Sequence, residues 1–168
     1  MLIQYPYVYI SGALSDLNPE RRVELRTFYE KIGRLCDETG FAAHIPTFMN
    51  DSDRSGHYES VDDYVRKHIC GARLLIAYVG EPSLGVGVGI EIAHHANVPV
   101  WLLAEKAKFD EKRISQLARG NPACRKGVVI TFTDTAHAEM QLHLELRKLR
   151  NQSTSQHSPF MRCVEERK

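Results

Sequence analysis

Short continuous apolar runs alternate with helical stripes of apolar residues along the chain. The runs are typical of buried strands, and five are predicted, at residues 5–11, 41–46, 74–79, 98–104 and 126–133. Between them, apolar side chains recur every three or four residues, as in amphipathic helices. This alternation predicts an α/β protein with a three-layer, five-stranded parallel sheet, flavodoxin-like or Rossmann-like in kind.

Polar and small residues mark where the helices begin and end. Asn18 followed by Pro19 is typical of a helix start, and Ser60 with Asp63 resembles a capping box. A glycine-containing loop is predicted after the third strand, with a short helix beginning at Glu91. The last two helices are predicted at residues 109–120 and 135–150.

Composition adds few constraints to this picture. The chain has 168 residues and a net charge of +1, so nothing points to nucleic acid or a membrane surface as a partner. Residues 1–150 are expected to form one domain, and the polar residues 151–168 a disordered tail. The four cysteines lie far apart and the first residues lack the basic start of a signal peptide, so we expect free thiols and a cytoplasmic protein.

The predicted topology selects candidate binding residues without any motif. In open α/β sheets, ligands bind beyond the carboxyl ends of the strands. After the first strand this rule selects Tyr9, Ser11, Gly12 and Ala13. After the second strand it selects His44, which either contacts a base or phosphate or is a buried structural histidine. After the third it selects the stretch that ends at Glu91.

That stretch, EPSLGVGVGIEIAHH (81–95), permits several interpretations. A dinucleotide fingerprint would need a third glycine where the chain has Ile90, and it belongs to the first strand. A metal site built on Glu91-x-x-His94 would need that motif twice. We therefore expect neither a dinucleotide cofactor nor a metal.

A site for a sugar or phosphate fits the small residues better. Ser83, Gly85, Gly87 and Gly89 would let a ligand approach the backbone near a helix N-terminus. Glu91 is then either an acid that stabilises the helix start or an ionised nucleophile beside a sugar. The residues alone leave both readings open.

Three stretches together, VYISGAL (8–14), residues 74–100 and ISQLARGNP (114–122), resemble the nucleoside 2-deoxyribosyltransferase superfamily. The likeness spans about residues 7–133 and is greatest to the 2'-deoxynucleoside 5'-phosphate N-hydrolases. It differs in spacing, because Pro82 and Glu91 are nine residues apart where the family pattern has seven. Ala13 also stands where the phosphate-specific hydrolases carry a serine.

The resemblance implies a role for each candidate residue. Glu91 would attack the anomeric carbon of the sugar, with Tyr9 holding it in place, and the turn at residues 11–13 would bound the sugar or phosphate. Ser83 and Gly85 would grip a 5'-phosphate. Retaining glycosyl transfer also uses a second carboxylate, for which the candidates are Asp62 and Asp63; Asp63 is equally readable as a capping residue.

The resemblance also implies the reaction and the partners. It implies an N-glycosidase acting on a (deoxy)nucleoside or nucleoside 5'-monophosphate through a glycosyl-glutamate intermediate. The alternatives are base exchange between deoxynucleosides and a nucleotide-binding module without catalysis. Homodimers or larger assemblies are implied, with Asn121 in a segment that reaches the neighbouring subunit. The last helix would offer an interface through Met140, Leu142, Leu144, Leu146 and Leu149.

Overall fold

The computed structural model describes residues 6–15, 17–46 and 58–155, which form five strands and seven helices. In chain order these are β1 (Tyr7–Ser11), α1 (Pro19–Glu38), β2 (Ala42–His44), α2 (Tyr58–Cys70), β3 (Leu74–Tyr78), α3 (Leu84–His95), β4 (Val100–Glu105), α4 (Lys106–Asp110), α5 (Gln116–Gly120), α6 (Pro122–Arg125), β5 (Val129–Phe132) and α7 (Thr135–Ser155).

All strand pairs in the sheet are parallel, and the strand order is β2-β1-β3-β4-β5. Every residue of the central strand β3 is buried, as its continuous apolar run predicted. The predicted three-layer α/β fold is confirmed, and the order is the flavodoxin-like one. Strand β1 lies between β2 and β3, so Tyr9 is level with His44 on one side and Leu75 on the other.

Two apolar cores lie on the two faces of the sheet. Leu74, Ile76 and Tyr78 pack on the face covered by α1 and α7. Leu75 and Ala77, which alternate with them along β3, pack on the face covered by α2, α3 and α6. Each face is thus closed by helices, and a ligand can approach the strands at their carboxyl edge.

The predicted glycine loop after β3 is wrong. Helix α3 begins at Leu84, so Gly85, Gly87 and Gly89 lie inside the helix. Ser83 is the N-cap, and its hydroxyl accepts a hydrogen bond from the backbone N–H of Val86 at 3.4 Å. Tertiary packing outweighs the low helix propensity of glycine here, because Val86, Ile90 and Ala93 of this helix are buried against the sheet.

Three other predicted boundaries also move. Residues 109–120 do not form one helix, because Lys112 adopts a left-handed conformation (φ 59°) that separates α4 from α5. Helix α2 is described from Tyr58, so Ser60 lies inside it and the capping-box interpretation is wrong. Helix α7 continues to Ser155, five residues into the predicted tail; the rest of that tail, from residue 156, lies outside the described residues.

The apolar face of α7 packs mainly against the core of the same chain. Leu142 and Leu146 are fully buried, and Leu149 packs against the same core. Met140 and Leu144 remain 55% and 51% exposed. Three of the five predicted interface residues therefore belong to the core, and a homodimer stays a prediction. None of the helices in the described ranges has the length and apolar character needed to cross a membrane.

Candidate active site

Helix α3 presents Gly89 and Glu91 to different surroundings. A helix turns about 100° per residue, so side chains two positions apart point to nearly opposite sides. Gly89 faces inward, toward α2 and the end of β1: a Cβ built there would lie 3.3 Å from Ile69 Cδ1 and 3.9 Å from Ser11 Oγ. Glu91 lies on the outer side of the helix, with 55% of its side chain exposed.

A cavity of about 820 Å³ opens on that outer side. Its walls come from residues within 79–91, on one side, and within 113–121, on the other. Both stretches follow carboxyl ends of strands, β3 and β4, so the cavity lies where α/β sheets bind ligands. Four predicted site residues meet in its lining, namely Ser83, Gly87, Glu91 and Asn121.

The Glu91 carboxylate is held by two polar side chains. Asn121 Nδ2 donates a hydrogen bond to Oε2 at 2.9 Å. His95 Nε2, one helical turn later, lies 3.1 Å from Oε1. Asn121 is itself fixed, because its Oδ1 accepts a hydrogen bond from the backbone N–H of Ala123 and caps α6. The carboxylate is thus oriented by Asn121 while staying open to the cavity.

Sequence reasoning missed several residues of this cavity. Arg113 supplies a guanidinium that is paired with Glu111 at 3.3 Å and is 64% exposed. Leu84 and Leu117, which are 87% and 88% exposed, line it with apolar surface. The strand-edge rule could have found Arg113 and Leu117 if the segment after β4 had been searched beyond Glu105.

Glu81, also in the lining, belongs to an ion-pair network that joins three chain segments. Its Oε1 lies 2.8 Å from Arg21 Nη2 and 3.0 Å from Lys108 Nζ. The same two cations contact Glu105 Oε1, which also accepts a hydrogen bond from the Tyr78 hydroxyl at 2.7 Å. Burial and the neighbouring Glu105 carboxylate raise the pKa of Tyr78, which therefore stays a neutral donor.

Tyr9 does not hold Glu91 as predicted. Its ring is 2% exposed and stacks on His44 with centroids 5.3 Å apart. Burial raises the pKa of Tyr9 to about 12. Neither Tyr9 nor His44 lines the Glu91 cavity, and the side chains that contact the Glu91 carboxylate are Asn121 and His95.

The other residues selected after β1 serve the packing of α1. The Tyr29 hydroxyl donates a hydrogen bond to the Ala13 carbonyl at 3.2 Å, and a Cβ at Gly12 would lie 2.1 Å from that hydroxyl. Ser11 is 8% exposed. These residues lie at the same carboxyl edge of the sheet, but none of them lines the cavity that contains Glu91.

His44 belongs to an aromatic cluster between β2 and α2. It lies 2.8 Å from the Tyr64 hydroxyl through Nε2 and stacks on His68 with centroids 4.3 Å apart. Burial, and then the nearby His68, lower the pKa of His44, so it is neutral at pH 7. His44 is thus half-buried and hydrogen-bonded within this cluster.

The predicted second carboxylates lie on α2, outside the cavity. Asp62 accepts a hydrogen bond from Arg66 at 2.6 Å in an exposed ion pair, and Asp63 is exposed. Neither lines the cavity of Glu91. Within the ranges that the structure describes, three metal-ligating side chains do not come together.

Comparisons with known proteins place the fold. No protein-family model and no curated protein matches the chain. Among solved structures, the CMP N-glycosidase BcmB of Clostridium botulinum is similar, with a TM-score of 0.62 and 17% identity over 83% of this chain and 98% of that one. BlsM, known from a solution structure, has a TM-score of 0.65 and 18% identity over 92% and 97%.

A conserved protein from Enterococcus faecalis V583 is also similar, with a TM-score of 0.61 and 17% identity over 86% of this chain and 99% of that one. Each likeness covers nearly the whole of the other chain. The chain therefore shares its complete three-layer fold with a CMP N-glycosidase.

Proposed function

We propose that the protein is an N-glycosidase that cleaves a (deoxy)nucleoside or nucleoside 5'-monophosphate into base and sugar or sugar phosphate. The observation that carries the proposal is the Glu91 carboxylate, oriented by Asn121 and open to a cavity at the carboxyl edge of the sheet. The fold shared with a CMP N-glycosidase supports the same reaction class.

In the proposed mechanism Glu91 is the nucleophile. One carboxylate oxygen attacks the anomeric carbon, and the carbon–nitrogen bond breaks with its electron pair passing to the base, which takes a proton from water. Water then attacks the same carbon and gives a proton to the hydroxide left by the first step, the bond to Glu91 breaks, and the carboxylate is regenerated. The hydrogen bond from Asn121 fixes the orientation of the carboxylate for the first step.

The rest of the cavity fits the parts of a nucleotide. Arg113 supplies an exposed cation for a phosphate, and Ser83 supplies a hydroxyl at the start of helix α3. Leu84 and Leu117 offer apolar surface against which the flat base can pack. The cavity of about 820 Å³ is large enough for a ligand of this class.

A nucleotide-binding module without catalysis is the second candidate, and the register of α3 favours it. The position seven residues after Pro82, where the resembled family carries its glutamate, is Gly89. Gly89 faces Ser11, whereas Glu91 faces the other side of the helix. If this second candidate is right, the carboxyl end of β1 near Ser11 has no glutamate nucleophile beside it, and Glu91 is a surface acid.

Base release separates the two candidates. The protein is incubated with nucleosides and their monophosphates, with and without an added free base, and base release is followed by chromatography. We expect release without acceptor and its loss in Glu91→Gln, while Glu139→Gln, the same change on α7, keeps the wild-type rate. A new nucleoside formed only with acceptor indicates base exchange. Full activity of Glu91→Gln contradicts the nucleophile assignment, and binding without turnover supports the module.

A further inference from the structure

Glu81 brings a second carboxylate to the cavity wall, and only one of its oxygens is used. Arg21 Nε donates to Oε1 at 2.9 Å, and Arg21 Nη2 and Lys108 Nζ contact the same oxygen. Among the residues that the structure describes, none donates a hydrogen bond to Oε2. The side chain is 22% exposed and Glu81 lines the cavity, so Oε2 can accept a hydrogen bond from a ligand there.

The carboxylate of Glu81 is ionised and fixed in place. Partial burial alone would raise its pKa, but the hydrogen bonds from Lys108 and Arg21 outweigh burial and lower the pKa. Lys108 Nζ also donates to the Gly80 carbonyl at 2.7 Å, so the cation that holds Glu81 is itself anchored to the turn after β3. The cavity therefore contains a rigid acceptor that cannot donate a hydrogen bond.

We infer that Glu81 Oε2 accepts a hydrogen bond from a sugar hydroxyl of the bound nucleotide, and so selects ligands whose sugar carries one. This inference rests on the proposed function. Glu81 and Glu91 line the same cavity. A carboxylate repels the phosphate and needs a donor, and the sugar, which joins the base to the phosphate, carries hydroxyl donors. Acids bind ribose hydroxyls in this way in other α/β folds.

The test compares two ligands in protein that cannot consume them. CMP and its 2',3'-dideoxy counterpart are titrated by calorimetry into Glu91→Gln and into Glu91→Gln/Glu81→Ala. In the first protein CMP should bind about 10-fold or more tightly than the dideoxy ligand, as for a hydrogen bond to a charged group. In the double variant the two affinities should differ by less than about 2-fold.

A purely structural role for Glu81 would lower both affinities together and leave their ratio unchanged. Lys108→Met controls for the loosened network, because it disturbs the turn but keeps the carboxylate, and it should preserve discrimination. Equal binding of both ligands to Glu91→Gln overturns the role of Glu81 and leaves the proposed function standing. If neither ligand binds, and no nucleotide in the base-release panel binds either, the proposed function is overturned as well.

Discussion

Gly89 and Glu91 lie on opposite sides of helix α3. Gly89 faces Ser11 at the edge of β1, and Glu91 accepts a hydrogen bond from Asn121 across the cavity. Pro82 and Glu91 are separated by two residues more than in the resembled family. In a loop, a bulge could absorb these two residues, and the glutamate could still reach the end of β1. In a continuous helix they turn it by about 200°. The helical state of the glycine segment therefore decides which surface Glu91 serves.

Gly87→Ala should stabilise the protein. A Cβ at Gly87 meets nothing within 4 Å, and alanine is favoured over glycine inside a helix by about 0.5–1 kcal/mol. Urea unfolding measures the change in the free energy of unfolding. Gly89→Ala is the matched comparison and should gain less, because its Cβ would press on Ile69 Cδ1 at 3.3 Å. Equal losses of more than about 1 kcal/mol in both variants would mean that the glycines are not helical.

Asn121→Asp should separate orientation of Glu91 from stability. Aspartate can still cap α6, as Asn121 Oδ1 does, so the free energy of unfolding should change by less than about 0.5 kcal/mol. The donor to Glu91 Oε2 is lost and a negative charge replaces it. We expect kcat for base release to fall by about 10-fold or more. Asn121→Ala should lose the cap as well and cost about 1 kcal/mol of stability; an unchanged kcat in both variants contradicts the orienting role.

The sequence predicted the sheet well because its strands are buried on both faces. The continuous apolar run that contains β3 is typical of a strand buried on both faces. The other apolar runs of the chain alternate with segments that have the apolar stripe of a helix. Helix α3 was missed because glycine is a poor helix former in isolation. Its stability comes from Val86, Ile90 and Ala93 against the sheet, a contribution that no local pattern reports.

The site was only partly predictable for a similar reason. Ser83, Gly87, Glu91 and Asn121 were all selected from the sequence, and the structure brings them into one cavity. The pairing of Glu91 with Asn121 spans 30 residues and joins α3 to the N-cap of α6, a contact that no local pattern reports. Glu81 was passed over because its role comes from cations 60 residues before it and 27 after it in the chain.

The network around Glu81 and Glu105 should make stability depend on pH in the acid range. Both groups have pKa values below the ordinary 4.5: burial would raise them, but hydrogen bonds from Lys108, Arg21 and Tyr78 prevail. Their contribution is fully present above pH 4.5 and is lost as the pH falls through the folded-state values. Glu105→Gln should lower the free energy of unfolding at pH 7 and flatten its decline below pH 4.5.

Urea titrations at several pH values measure that decline. Asp110→Asn removes an exposed pair with Lys106 and serves as the control, which should leave the curve close to wild type. If Glu105→Gln and Asp110→Asn behave alike, the network contributes no more than a surface ion pair.

Gly127→Ala should be strongly destabilising, because position 127 touches the backbone of the sheet. A Cβ there would lie 1.8 Å from the Val100 carbonyl oxygen and 2.8 Å from its carbon, and neither atom belongs to a flexible side chain. The segment before β5 would have to move away from β4, which would strain the hydrogen bond from Leu102 N–H to Val128 O. We expect a loss of about 2–4 kcal/mol, as for overpacking in a core that cannot yield.

Gly120→Ala is the matched control, since nothing lies within 4 Å of its Cβ, and it should change stability by less than about 0.5 kcal/mol. Thermal or urea unfolding measures both, and similar values for the two variants would contradict the close approach of residue 127 to β4.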